Sequence, residues 1–289
     1  MGVKDVAAKL ENDNLISCRS CFVYYIWAKD FKSKILPGNY ELSGRLTIPE
    51  ISSIITSEKD NKIIVTFPEG WDSKKMAERL NEKGLDGNGF LQLVNQPGDL
   101  MNSYDFLEGK KVKTLEGYLF PDTYYFAKDD TAREIVTKML NNFKLKFIGQ
   151  FNEDIAKQEK SIDEIITMAS IVEKEVRLED EKKIVSGLFW NRIADGRALQ
   201  SCATLAYILG QNKKQYSFSD TRILSPYNTY INRGLPPSPI SNPGLASINA
   251  AIYPKITEYN YFLSDPATGK TYFSKTITEH NAYKQQFGL

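Results

Sequence analysis

The sequence predicts an α+β protein in which a helical bundle is joined to short strands and β-hairpins. Three observations carry this: apolar residues recur at helical spacing along most of the chain, KIIVTF at residues 62–67 is a short β-rich run, and two strand-like segments near the C-terminus, NYFLS and KTYFS, flank a turn. At 289 residues and 42% hydrophobic content, the chain has material for one large or two modest domains.

Taken in order, Val3, Val6, Ala7 and Leu10 lie on one helical face, and Asn12-Asp13-Asn14 stops the helix. A second helical patch covers residues 22–31. Pro37-Gly38 then makes a turn, and Tyr40-Glu41-Leu42 begins a strand. Thr47 caps a helix with Pro49 in its first turn and Ile51, Ile54 and Ile55 inward. After the strand at 62–67, Pro68-Glu69-Gly70 turns the chain. Asp72 or Ser73 caps a helix burying Met76, Ala77 and Leu80, which ends at Gly84. Residues 85–105, rich in Gly, Asn and Asp, read as a boundary between an accessory part and a main domain.

LEGYLFPDTYYF, residues 115–126, is either a core strand followed by a corner, or a cleft wall on which Glu116 and Tyr118 offer polar contacts. A helix over 131–147 follows, with Ile135, Met139, Leu140 and Phe143 on one face. Ser161 and Glu164 form a capping box for SIDEIITMASIVEKEVR, whose apolar stripe is Ile162, Ile165, Ala169, Val172 and Val176. Glu173 and Glu175 flank that stripe about 160° apart around the axis. A carboxyl group beside apolar surface is a candidate general acid. Periodicity does not choose between the two, and either one equally suits a solvated flank paired with Lys174 or Arg177.

Residues 181–194 form the next helix, ended by Asp195-Gly196. Ser201 is placed to cap a third, residues 202–209, and these three helices should bundle together. SPYNTY and GLPPSPISNPG then form a proline-locked stretch, which is either a linker or a stiff binding wall. A short helix at 247–252, the hairpin across residues 265–269 and a final helix starting near His280 complete the chain. A lone histidine is usually structural.

With 37 Lys+Arg against 36 Asp+Glu, the formal charge of +1 gives no electrostatic basis for nucleic-acid binding. The 16 Tyr and 15 Phe suit a large core or sugar-stacking clefts. Cys18, Cys21 and Cys202 leave one cysteine over, and with His280 as the single histidine, Cys18-Arg-Ser-Cys21 reads as packing cysteines or one local disulfide rather than half a metal site. CFVYYIWA, residues 21–28, is far short of the ~20 residues of a membrane span. Met1-Gly2 opens directly onto a helical pattern, as expected of a start inside a longer protein.

LEGYLFPDTYYF, MASIVEKEV, LFWNRI with LQ beyond it, SPYNTY, GLPPSPISNPG, the YFLSD and YFS strands and EHN occur here in the order typical of the MltG/YceG-like endolytic murein transglycosylases. The resemblance spans residues 62–289; the N-terminal part is similar to that family's LysM-like subdomain. It implies a LysM-like accessory unit at 1–60 and a catalytic domain at 61–289, of which 61–105 would be a connecting subdomain. It implies cleavage of the MurNAc–GlcNAc bond of nascent peptidoglycan with 1,6-anhydro-MurNAc ends, and no cofactor or metal. The catalytic residue would be Glu175, the second glutamate of the EKE motif. Glu116, Tyr118, Gln200, Tyr227, Asn228 and Thr229 would contact sugars, and Glu173 and His280 would support the site. Cys202-Ala203 stands where relatives often carry Asp-Pro, and Lys270-Thr271-Tyr272 replaces a frequent Gly-His pattern. Expected partners are glycan strands and cell-wall synthases such as penicillin-binding proteins. An N-terminal helix upstream of residue 1 would hold the enzyme on the outer side of the cytoplasmic membrane. The competing readings are a peptidoglycan-binding protein without catalysis and, from a label the family has carried, an aminodeoxychorismate lyase.

Overall fold

The computed structural model describes residues 2–36, 40, 42, 44, 46–56, 62–108, 113–157, 159–213, 215–265 and 268–288. The expected Pro37-Gly38 turn and Glu41 of the expected strand lie outside them. The architecture is α+β, as the sequence predicts. The chain divides into one unit of residues 1–64 with 125–129, and a larger unit of residues 65–124 with 130–289.

The smaller unit is built from α1 (Val3–Asn12), α2 (Arg19–Ala28) and α3 (Ile48–Thr56). Ala7, Leu10, Ile16, Phe22, Ile26, Ile51 and Ile55 form its core, which is why the apolar stripes read from the sequence fold as helices here. Cys18 and Cys21 are joined in a disulfide across the first turn of α2. Strands β1 (Lys62–Thr66) and β2 (Thr123–Ala127) form a two-stranded sheet, and the division between units falls within both strands.

In the larger unit, Asp72 caps α4 (Ser73–Glu82) by accepting the Lys75 N–H at 2.9 Å. The segment expected to be a boundary contains instead a helix, α5 (Gly87–Asn95), packed on α4. Asp86 caps it through Gly89 N–H at 2.8 Å, and Phe90 and Val94 bury one face. Gly87 is there for closeness: a Cβ would lie 2.0 Å from the Ala77 carbonyl oxygen. The helix expected at 131–147 is α6 (Ala132–Phe143), which runs through a π turn at Lys144–Ile148 into an additional helix, α7 (Gly149–Ala156).

At the centre lies α8 (Ile162–Glu175), started by the predicted Ser161/Glu164 capping box. The sequence suggests one apolar stripe, but residues 165–172 are all buried, so neighbours cover the helix on every side. Helix α9 (Glu179–Ala194), α10 (Cys202–Leu209) and α11 (Leu245–Ile252) pack on α8, and α11 also packs on α9. The C-terminal strands β3 (Tyr261–Ser264) and β4 (Thr271–Ser274) pair antiparallel in the register Tyr261–Ser274, Phe262–Phe273, Leu263–Tyr272, Ser264–Thr271. Helix α12 (Ile277–Gln286), capped by Thr276, packs on both strands. No helix among the described residues is long and apolar enough to cross a membrane.

Candidate active site

The two candidate acids have opposite fates because α8 ends at Glu175: Val176 turns to extended backbone and is itself buried. Glu173 faces inward. Its carboxylate, 9% exposed, is 3.2 Å from the Lys182 ammonium, 4% exposed, and accepts hydrogen bonds from Gly244 N–H at 3.1 Å and Ser247 Oγ at 2.6 Å. The ion pair and these hydrogen bonds tie α8 to α9 and to the start of α11, and the Glu173 side chain also lies against the Gly70 turn.

Glu175, half-buried, is differently placed. Its Oε1 accepts hydrogen bonds from Ser201 Oγ and, at 3.1 Å, from Ala203 N–H in the first turn of α10. Its Oε2 has no hydrogen-bond partner among the described residues and is not walled off from solvent. Burial pushes the Glu175 carboxyl upward, opposed by the Ser201 and Ala203 hydrogen bonds and by the Arg192 charge. Ser201 stands at the N-cap position of α10, as its place in the sequence suggests, but makes no side-chain cap bond because its hydroxyl is turned to Glu175.

A cleft of about 250 Å³ has Asp72, Glu78, Lys174, Ala203, Tyr207 and Ile240 among its lining. Ala203 links cleft and acid, since it lines the one and donates its N–H to the other. The Lys174 ammonium donates to the Gly70 carbonyl at 3.0 Å.

The proline-rich stretch is a wall rather than a linker. Ile240 N–H donates to Ser170 Oγ at 3.0 Å and Ser241 Oγ to the Ser170 carbonyl at 3.1 Å, pinning the segment along α8. Asn242, fully buried, accepts from Gly117 and Leu119 N–H at 2.9 and 3.0 Å, and donates to Glu116 Oε1 at 2.7 Å and the Trp71 carbonyl at 3.1 Å. Gly117, at φ +91°, is needed there, since a Cβ would stand 2.4 Å from Pro239 Cγ.

The other predicted residues separate by role. Glu116, 4% exposed, is occupied by Ser73 N–H and Oγ and by Asn242, and burial raises its pKa to about 7. It holds the cleft wall from within. Tyr118 is a correction to the cleft-wall reading: it is wholly buried against Phe106 and Phe143, and its hydroxyl meets Asp163 at 2.9 Å. An aromatic corner has the same sequence whether its rings face a core or a sugar. Asn228 is equally buried and organises its own loop by donating to the Thr221 and Ile223 carbonyls and accepting from Tyr230 N–H. Thr229 accepts from Ser201 N–H at 3.1 Å. Tyr227 packs on Tyr207 and shares a hydrogen bond with Ser238 at 2.6 Å. Gln200 is exposed at φ +54°, next to the acid's partner Ser201, and is free to reach a ligand.

His280 stacks on Tyr261, with Nδ1 unpartnered and its pKa pushed down by burial and by the Lys284 and Arg192 charges. Among the described residues it makes no hydrogen bond with Glu175. Sequence reasoning missed Ser73, Lys182, Arg192 and Asn242, and gave Ser201 and Tyr230 no part in the site. The contacts of Ser73 and Asn242 with Glu116, and of Ser201 with Glu175, span sequence separations that no local pattern records. Among the described residues no group of three or more His, Cys, Asp and Glu is arranged to hold a metal.

Comparison with known proteins agrees with this architecture. The chain is 31% identical over 298 residues to the endolytic murein transglycosylase of Bacillus subtilis, covering 99% of this chain and 82% of that protein. It is 27% identical to the protein of the same name from Streptococcus pneumoniae D39, covering 96% of this chain and 55% of that one. A crystal structure of a YceG-like protein from Listeria monocytogenes superposes with a TM-score of 0.70 at 34% identity, over 98% of this chain and 96% of that chain. The YceG-like family matches residues 1–286, and the chain belongs to it.

Proposed function

We propose that the chain is an endolytic murein transglycosylase that cleaves the bond between N-acetylmuramic acid and N-acetylglucosamine, with Glu175 acting first as acid and then as base. The observation that carries this is a carboxyl group, raised in pKa by burial, with one oxygen held by two donors and the other without a hydrogen-bond partner among the described residues. A hydrolytic glycosidase usually needs two carboxyl groups flanking the bond. One suffices if no water enters.

Glu175 Oε2 donates its proton to the glycosidic oxygen as the C1–O bond breaks, so the N-acetylglucosamine leaves with a free 4-hydroxyl. The muramyl C6 hydroxyl then attacks C1, and its proton returns to Glu175, leaving a 1,6-anhydro ring. Atoms and protons balance within the glycan, and the enzyme ends as it began. Both transfers favour an acid poised near the working pH, which burial supplies.

The Cys18–Cys21 disulfide fits a protein working outside the cytoplasm, where murein lies. We extend the proposal to anchoring by a helix upstream of residue 1, and to cell-wall synthases as neighbours. Digestion of isolated glycan strands in heavy-oxygen water tests the chemistry. The expected new muramyl ends carry no label and are lighter than hydrolytic ends by one water; labelled reducing ends would indicate a hydrolase.

A further inference from the structure

The hydroxyl of Ser201 faces away from the helix it precedes, and this diversion has a chemical meaning. Ser201 is 1% exposed, and its backbone is held on every side. Its N–H donates to Thr229 Oγ1 at 3.1 Å, its carbonyl accepts from Thr204 Oγ1 at 2.8 Å, and the two threonine hydroxyls meet at 2.9 Å. Thr204 uses its proton on the Ser201 carbonyl, so Thr229 must donate to Thr204, which leaves Thr229 Oγ1 accepting from Ser201. Gln200 N–H donates to the Thr229 carbonyl at 2.9 Å, and Gln200 adopts φ +54° to allow it. A buried, fully paired network of this kind fixes one geometry.

At its end stand two donors converging on one atom, Glu175 Oε1: Ser201 Oγ and Ala203 N–H. The backbone N–H can only donate. With Ser201 Oγ–H also donating to Oε1, that oxygen is an acceptor in the neutral acid as well as in the carboxylate. The proton of the neutral acid then belongs on Oε2, the oxygen without a partner. We propose that Ser201, locked by Thr229 and Thr204, is a positioning residue that assigns the transferable proton of Glu175 to Oε2 and stabilises the carboxylate left after donation. This rests on the acid/base reading of Glu175. The N-terminus of α10 adds its dipole to the same end.

The charged and titratable groups facing Glu175 are Arg192 of α9, Cys202 of α10, and Tyr216 and Tyr230 of the following loops. Burial pushes the Cys202 thiol and both tyrosines up, away from the range in which a carboxyl titrates, so the loss of activity on raising pH reads Glu175. Removing a donor to the carboxylate moves that loss to higher pH and weakens the acid.

The test compares Ser201→Ala, Ser201→Thr and Glu175→Gln in release of anhydro-muramyl ends from glycan strands across pH. The expected result for Ser201→Ala is a kcat reduced about 10- to 100-fold, the usual worth of a hydrogen bond to a charged group, with KM little changed. Its falling limb lies at higher pH than in the wild type, and Ser201→Thr, which keeps a hydroxyl, restores both. Should the alanine protein not fold, Ser201→Cys keeps the bulk with only a weak S–H donor and must shift the limb in the same direction. A wild-type pH profile in the variant lacking the hydroxyl overturns the inference. If Glu175→Gln is inactive while that profile is unchanged, only the role of Ser201 fails. If Glu175→Gln is fully active, the reading of Glu175 fails with it.

Discussion

Asn242 is the side chain on which the cleft wall depends most, and Asn242→Ala is the perturbation that measures it. The substitution removes four hydrogen bonds: two accepted from Gly117 and Leu119 N–H, and two donated to Glu116 and the Trp71 carbonyl. At about 1 kcal/mol net for each bond, the loss is about 4 kcal/mol, and two buried N–H groups left without acceptors add to it. Against a typical total of about 5–15 kcal/mol, this is a large fraction. Urea unfolding followed by tryptophan fluorescence reads it as a lower midpoint with an unchanged slope. Asn242→Asp sharpens the test. It keeps an acceptor for the two N–H groups but turns its second oxygen toward Glu116 Oε1 and the Trp71 carbonyl, so its deficit should be greater at about pH 8 than at about pH 5, where carboxyl groups take up protons. A loss below about 0.5 kcal/mol for the alanine protein, the range of surface substitutions, would refute the view that this node holds the wall.

Glu116, with a folded pKa of about 7 against an ordinary 4.5, binds its proton more tightly folded than unfolded, so it makes stability fall as pH rises between those values, by about 3 kcal/mol. Glu116→Gln, which mimics the protonated acid, should flatten that slope in unfolding titrations, and an unchanged slope contradicts the assignment. Lys182→Met leaves the Glu173 carboxylate buried without its cation and should cost about 3–5 kcal/mol by denaturant midpoint; a neutral effect means the pair is not buried as described. Gly117→Ala combines a left-handed backbone with a Cβ driven into Pro239, and a loss of at least about 2 kcal/mol is expected in the same assay. A stability equal to wild type would show that the two segments do not approach so closely.

What was legible in the sequence follows from what each signal encodes. The Ser161 capping box is a local pattern, and it located the start of α8 correctly. The paired β3 and β4 strands were equally plain, because alternation and a turn lie within a few residues. Helix α5 was hidden by its own composition: Gly87 and Gly89 look like breakers until Gly87 is seen packed against Ala77. The helical wheel puts Glu173 and Glu175 on opposite flanks of the apolar stripe, yet a stripe does not say what covers either flank. Lys182, Gly244 and Ser247 cover Glu173, whereas α8 stops at Glu175 and leaves that carboxyl to Ser201. Tyr118 and Asn228 carried motif positions but are buried supports. Family likeness gave one set of motif positions without separating exposed side chains such as Gln200 from buried ones such as Tyr118 and Asn228.

The central claim is that one carboxyl group, Glu175, carries both proton transfers, and Glu175→Gln tests it most directly against Glu173→Gln. The measurement is the yield of anhydro-muramyl ends from glycan strands by mass spectrometry, with folding checked by thermal melting. The account predicts that Glu175→Gln melts like the wild type and forms no such ends, while Glu173→Gln melts lower but still forms them. Anhydro ends released at the wild-type rate by folded Glu175→Gln would contradict it.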